Sequence, residues 1–241
     1  MNDKKVVIVL LNYNRPLDTA ECIDSLREIE YQNYSILIVD NCSTDSSLEI
    51  LQNKYPEIPI YVTQKNEGYT GGINFGMTKA LLQDPEYVLV LNNDTTVTKH
   101  FLKKLVEGIN SYPRAVAACG TIVMEHDKEK IWYAGGKIVR WRGLAVHYKK
   151  GKHINEINSG VPQEVSFITG CSILFKTKYL KEIGMEDERY FLYLDDIEYS
   201  LRMARRGFQL IFVPSSIIFH KTLGENQSAY KLYYSVRNRL L

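Results

Sequence analysis

The chain has 241 residues, of which 45% are hydrophobic and 24% charged, enough apolar content for a buried core and too much for a disordered tail. Its 30 Lys and Arg against 28 Asp and Glu leave a formal charge of +2, which argues against a protein whose main task is gripping nucleic-acid phosphates. No apolar run approaches the roughly 18 residues needed to cross a bilayer, and residues 6–11, which follow Met1-Asn2-Asp3-Lys4-Lys5, are short for a signal peptide.

Val6-Val7-Ile8-Val9-Leu10-Leu11 reads as a strand buried on both faces. Asn12-Tyr13-Asn14-Arg15-Pro16 is a turn leading into a helix marked by Leu17, Ala20, Ile23 and Leu26. Residues 35–39 predict a second strand, Leu48, Leu51 and Tyr55 a second helix, and residues 58–62 a third strand. A glycine-rich loop comes next, then a helix over 73–82 and a strand over 87–91. Phe101, Leu105 and Ile109 mark another helix, and residues 115–123 another strand. This alternation predicts an α/β fold: a parallel sheet with helices on both faces and ligands beyond the carboxyl ends of its strands.

The second half changes character. Residues 125–160 are irregular, basic and aromatic (Trp132, Tyr133, Trp141, Tyr148), with Gly135-Gly136 as a hairpin turn. A strand over 165–175, a helix over 195–206 ended by Gly207, and a last strand over 209–213 before Pro214 complete the pattern. Cys22, Cys42, Cys119 and Cys171 form no C-x-x-C pair, which suits reduced, buried thiols in a cytosolic protein. With no repeat and no low-complexity linker, one domain over 1–241 is expected.

Four places stand out chemically. Asp40 ends the second strand, where an acid can accept from a ribose hydroxyl or a base N–H; Asp45 or Ser46 after it suits a helix cap. The stretch from Asn66 to Gly76 is glycine-rich but is neither a Walker loop nor G-x-G-x-x-G, and alone it could be a ligand loop or a plain turn. Asn92-Asn93-Asp94 ends the most hydrophobic strand, where a carboxylate can hold a hard cation against a diphosphate; an Asx turn is the plainer alternative. Asp195-Asp196 begins a helix after an aromatic-aliphatic run, and two acids exceed what a cap needs. His220 alone reads as a structural histidine.

Taken in order, these residues resemble glycosyltransferase family 2, above all its rhamnosyltransferase-like bacterial branch. The resemblance rests on Asn12-Tyr13-Asn14, the stretch from Val39 to Asp45, the Asn66–Gly76 segment, Leu91-Asn92-Asn93-Asp94, and Thr169-Gly170-Cys171. Phe191 to Glu198, Arg202, Gly207, Pro214 and His220 complete it. It implies a GT-A fold, a doubly wound, mostly parallel sheet with helices on both faces and an elaborated C-terminal half. Residues 1–124 would bind the nucleotide sugar and 125–241 the acceptor and catalytic base. It implies an inverting transfer from a UDP- or dTDP-linked sugar to a hydroxyl of a glycan or lipid-linked acceptor, in cell-surface polysaccharide synthesis. Carried over by position, Asp40 matches the acid that binds the nucleoside, and Asn12, Asn66, Gly68, Gly72, Asn74 and Asn93 fall in the nucleotide-sugar site. Asp94 matches the last acid of a D-x-D-type motif and His220 a histidine completing the coordination of a divalent cation, Mn2+ or Mg2+. Asp196 matches the catalytic base, with Asp195 beside it, and Thr169 and Gly170 fall on the acceptor side. Asn92 departs from the pattern, standing where many members carry an aspartate, which bears on metal affinity. Members often continue past a Tyr-x-x-x-Arg-Asn segment, here residues 233–238, whereas this chain stops at Leu241.

The rivals are a nucleotidyltransferase, which would need a glycine-rich basic loop after the first strand, and a non-catalytic sugar-binding module. The reading involves no nucleic acid. It places the protein in the cytoplasm, with the basic and aromatic tail, residues 230–241, suited either to the inner face of the plasma membrane or to packing on its own domain.

Overall fold

The computed structural model describes residues 3–157, 160–221 and 229–241; Met1, Asn2 and residues 158–159 of the basic stretch lie outside it. The first half alternates as expected. Strand β1 (Val6–Asn12), helix α1 (Pro16–Leu26), β2 (Tyr34–Asp40), α2 (Ser47–Lys54) and β3 (Ile60–Val62) come first. Helix α3 (Gly68–Leu81), β4 (Tyr87–Asn92), the short β5 (Thr95–Val97), α4 (Phe101–Asn110) and β6 (Ala115–Met124) follow. Leu17 is an exception to the predicted α1 stripe: it is exposed, and the buried face is Thr19, Ala20, Cys22, Ile23 and Leu26.

The glycine-rich stretch is not a loop. It forms the first turns of α3, which begins at Gly68 rather than at residue 73. Helix propensity is overridden here by packing. A Cβ on Gly72 would lie 2.5 Å from Leu11 Cδ1, and one on Gly76 would overlap Val9 Cγ1, so the missing side chains let α3 press onto β1 and β2.

The second half comprises β7 (Asp127–Tyr133), β8 (Gly136–Val139), β9 (Leu144–His147), β10 (Gln163–Val165), β11 (Ser172–Lys176), α5 (Thr177–Ile183), α6 (Asp195–Arg205), β12 (Gln209–His220) and α7 (Ala229–Arg237). Three expectations are corrected. The hairpin turn lies between β8 and β9, at Arg140 to Gly143, whereas Gly135 with φ +84° only redirects the chain between β7 and β8. The strand expected over 165–175 splits into β10 and β11, which frees Thr169-Gly170-Cys171 as a loop. Pro214 does not stop the last strand, because it falls in a bulge between Val213 and Ile217 where no ladder N–H is needed.

The main sheet runs β10-β12-β6-β11-β4-β1-β2-β3. From β4 to β3 the pairs are parallel, as are β6 and β12, while β11 is inserted antiparallel between β4 and β6. β1 and β11 are buried on both faces, which explains their unbroken apolar runs. Cys22, Cys119 and Cys171 are buried and Cys42 half-buried, all unpaired. Among the described residues no helix is long and apolar enough to cross a membrane.

Candidate active site

The carboxyl ends of β1, β2 and β4 open on one side. A first cavity of about 480 Å³ there is lined by Tyr13, Asn41, Asn66, Gly68, Asn93, Asp94 and Tyr230 among others. A second, of about 420 Å³, is lined by Trp132, His147, Thr169, Gly170, Asp195, Asp196 and His220 among others. Tyr69, Asn92 and Leu192 belong to both walls, so the two cavities meet there.

Beneath the first cavity lies a buried polar network. Asp40 is 1% exposed, and its carboxylate accepts from Asn12 Nδ2 (2.8 Å), Ser43 Oγ (2.7 Å) and the Ser43 N–H (2.8 Å). Asn12 is fully buried, and its Oδ1 accepts from Thr19 Oγ1 at 2.8 Å. Both residues therefore support the loop after β2 from below. Asn41 holds the other bank: its Nδ2 donates to Asn66 Oδ1 (3.1 Å) and to the Gly68 carbonyl (2.8 Å), and its Oδ1 accepts from the Glu67 N–H (3.0 Å). Gly68, at φ +72°, lies where a Cβ would come within 2.5 Å of Phe191.

Gly72 and Asn74 line neither of these two cavities. Gly72 faces Leu11, and Asn74 is a clamp whose Nδ2 donates to the Glu186 carbonyl (2.9 Å) while its Oδ1 accepts from the Glu186 N–H (3.0 Å). Two residues forward along an α-helix turns the side chain away from the sheet edge, which the loop reading could not anticipate.

Asp94 and His220 meet because β5 pairs with the end of β12, in the register His220 to Thr95. Asp94 Oδ1 lies 3.2 Å from His220 Nε2. The pair lacks hydrogen-bond geometry, and both Asp94 Oδ1 and His220 Nδ1 are buried without a hydrogen-bond partner among the described residues. An orphaned carboxylate oxygen beside an imidazole is the donor set of a divalent cation. Among the described residues no group of three or more His, Cys, Asp or Glu side chains could hold a metal by itself, so the remaining positions would fall to substrate or water oxygens. No Lys or Arg is among the residues lining the first cavity, so a diphosphate there needs a cation.

The acidic pair is placed by two loops. β11 aligns Ser172 with Leu91, and the Asn92 N–H donates to the Cys171 carbonyl at 2.9 Å, bringing Thr169-Gly170 beside the end of β4. The Gly170 N–H then donates to Asp196 Oδ2 at 3.2 Å, and Tyr69 Oη donates to the Gly170 carbonyl at 2.6 Å. Before the pair, Phe191, Tyr193 and Leu194 hold φ values of 38°, 67° and 65°. This left-handed run is tied down from two sides. The Tyr69 N–H donates to the Phe191 carbonyl at 2.6 Å, and Asn238 Nδ2 donates to the carbonyls of Tyr190 (2.9 Å), Leu192 (2.8 Å) and Tyr193 (2.7 Å).

The two acids differ in access. Asp195 is buried, and burial followed by the neighbouring Asp196 pushes its carboxyl up to about 8. Asp196 is partly exposed at the cavity wall; burial raises it to about 6, and the Gly170 N–H opposes the rise. Glu186, buried behind them, is raised well above its ordinary value by burial and then by Asp195 and Asp196. His147 lies at the same wall with its pKa lowered by burial, its Nδ1 donating to the Trp132 carbonyl at 3.1 Å. Sequence reading assigned no role to Asn41, Tyr69, Trp132, His147, Glu186 or Asn238, although Asn41, Tyr69 and Asn238 lie in segments that the family resemblance picked out.

The profile of the family described as Glycosyl transferase family 2 matches residues 7–184, which stops short of the acidic pair. Longer similarities reach across it. An N-acetylglucosaminyl-diphospho-decaprenol L-rhamnosyltransferase of Mycobacterium tuberculosis is 23% identical over 237 residues, 88% of this chain and 75% of that one. The dTDP-rhamnosyl transferase RfbF of Shigella flexneri is 22% identical over 249 residues, 99% of this chain and 80% of that one. In structure, GalNAc-T7 with UDP, GalNAc and Mn2+ superposes with a TM-score of 0.80 at 19% identity, over 98% of this chain and 47% of that one. Mannosyltransferase PcManGT from Pyrobaculum calidifontis, in complex with GDP-Man and Mn2+, gives 0.66 at 16% identity, over 99% of this chain and 61% of that one. The fold is GT-A, and the chain is a glycosyltransferase that belongs to glycosyl transferase family 2.

Proposed function

We propose that the first cavity takes a nucleotide-diphosphate sugar, with dTDP or UDP as its nucleotide, and the second a hydroxyl of a glycan or lipid-linked acceptor in cell-surface polysaccharide synthesis. The carrying observation is the shared wall at Tyr69, Asn92 and Leu192, with Asp94 on one side and Asp196 on the other. Residues 1–124 supply most of the donor side, and residues 125–241 most of the acceptor side. Both names of the rhamnosyltransferase relatives favour a deoxyhexose donor.

Asp94 and His220 would hold a divalent cation, Mn2+ or Mg2+, which supplies charge neutralisation for the leaving diphosphate. Asn66, Gly68 and Asn93 border the donor, while Asp40 and Asn12 keep its floor rigid. Asp196, reachable from the second cavity and ionised at neutral pH, accepts the acceptor hydroxyl's proton as that oxygen attacks the anomeric carbon from the face opposite the diphosphate. Asp195 stays protonated and uncharged beside it. The Gly170 N–H, itself fixed through Tyr69, keeps Asp196 aimed. Thr169 and Gly170 form the acceptor floor, and the neutral His147 offers an acceptor nitrogen at the rim. We place the protein in the cytoplasm, with the exposed Leu232, Tyr233 and Val236 of α7 suited to the inner face of the plasma membrane.

The test is nucleotide release from dTDP- and UDP-sugars, with and without Mn2+, beside thermal shift on the same ligands. Metal-dependent release with one donor class is expected. Failure of every nucleotide sugar to bind or turn over would refute the assignment.

A further inference from the structure

Apart from the residues that line the second cavity, the basic, aromatic stretch noted in the sequence takes no part in the transfer just described. Residues 131–155 contain Lys137, Arg140, Arg142, Lys149, Lys150 and Lys152 and no Asp or Glu, in a chain whose total charge is only +2. The β8–β9 hairpin carries three of them, Lys137, Arg140 and Arg142, the other three follow β9, and all six are exposed. Lys137, Arg140, Arg142 and Lys152 make no ion pair among the described residues. At the tip, Trp141 is 84% exposed between Arg140 and Arg142, with the Arg142 guanidinium over its ring at 5.1 Å from the centroid.

The tip has a neighbour from far along the chain. Gly143, Arg239 and Leu241 line a common cavity of about 340 Å³, so the hairpin turn and the end of the chain share one edge of the molecule. Leu240 is 85% exposed there. Along the same hairpin, Leu144, Ala145 and His147 line the second cavity, so this edge borders the acceptor mouth.

We propose that the β8–β9 hairpin, with Trp141 at its tip, is a docking surface for an anionic lipid bilayer and sets the acceptor mouth against it. Positive charge on a hairpin that carries no acid of its own complements anionic headgroups. An exposed tryptophan flanked by arginines, beside exposed leucines, is the composition of a membrane interface. Nucleic acid would use the charge but has no use for Leu240 and Leu241. The surface is separate from the α7 face and does not depend on the identity of the donor sugar.

The experiment is vesicle flotation of the full chain with phosphatidylcholine alone and with phosphatidylcholine plus phosphatidylglycerol, at low and high salt. Wild type should float only with the anionic vesicles and be released by salt. The triple variant Lys137→Glu, Arg140→Glu, Arg142→Glu changes exposed positions only and should bind anionic vesicles at least roughly 100-fold more weakly, with transfer to a soluble acceptor unchanged. Trp141→Ala should also bind more weakly, and the blue shift of tryptophan emission on vesicle binding should disappear. Equal flotation of wild type and triple variant overturns the proposal. So does equal binding to neutral vesicles, or loss of flotation only on Leu232→Ala, Tyr233→Ala, Val236→Ala. Tighter binding to an RNA duplex than to anionic vesicles at the same salt also overturns it.

Discussion

Asp196→Asn separates proton transfer from every other task in the site. Asparagine keeps the shape of aspartate, and its Oδ1 can still accept from the Gly170 N–H, so the loop and the helix start should hold. What it cannot do is take a proton. Loss of a positioned general base costs about 10²–10⁴-fold in turnover, which is about 3–5 kcal/mol of barrier. With the carboxyl at about 6, the wild type should be about nine-tenths ionised at pH 7 and about one-tenth at pH 5, so turnover should fall nearly tenfold per pH unit on the acid side. The variant should lack that limb. The assay is initial rate on one acceptor across pH, beside donor affinity by calorimetry, for Asp196→Asn and Asp195→Asn. Donor affinity should stay near wild type in both, and Asp195→Asn should lose less turnover because Asp195 is buried and already neutral. Near-normal turnover in Asp196→Asn with loss in Asp195→Asn would exchange the roles, and activity in both would refute the assignment.

Asp94→Ala should remove Mn2+ binding by calorimetry together with metal-dependent turnover, and His220→Ala should weaken both less; a fully active Asp94→Ala enzyme would dismiss the pair as a cation site. Asn238→Ala leaves the Tyr190, Leu192 and Tyr193 carbonyls without their amide donor, so it should lower stability by about 1–3 kcal/mol and turnover more than donor affinity. An unchanged melting temperature would show that the clamp is idle. Glu186 keeps a proton in the fold that the unfolded chain gives up, so its contribution is greatest at acid pH and stability falls as pH rises past the ordinary carboxylate range. The slope is about 1.4 kcal/mol per pH unit for such a group. Glu186→Gln should flatten that decline in urea melts taken upward from the ordinary carboxylate range, and parallel curves for variant and wild type would contradict it.

Most of the sheet could be read from the sequence because β1, β2, β4 and β6 are buried on both faces and write their burial as continuous apolar runs. The acids at strand ends were readable for the same reason: a carboxylate directly after such a run has few structural excuses. The glycine stretch misled because glycine signals both a loop and a close approach, and only the positions of Val9 and Leu11 across the interface decide between them. The contact between Asn12 and Asp40 spans 28 residues and that between Asn74 and Glu186 spans 112, and no local pattern records either. The bulge at Pro214 likewise depends on β6 alongside it, and so His220 sits at a strand end that the sequence seemed to close earlier.

The left-handed run at Phe191, Tyr193 and Leu194 bears on how this enzyme could be engineered. Glycine at any of these positions would relieve a backbone cost of order 1–3 kcal/mol. It would also remove the ring that stacks on Tyr234 at 5.0 Å, or a wall of the second cavity. Selection for melting temperature alone would therefore drift toward glycine in this turn while loosening the approach to Asp195 and Asp196. Thermostability and turnover are opposed objectives over these few residues, so a stabilised variant should draw its substitutions from elsewhere in the fold.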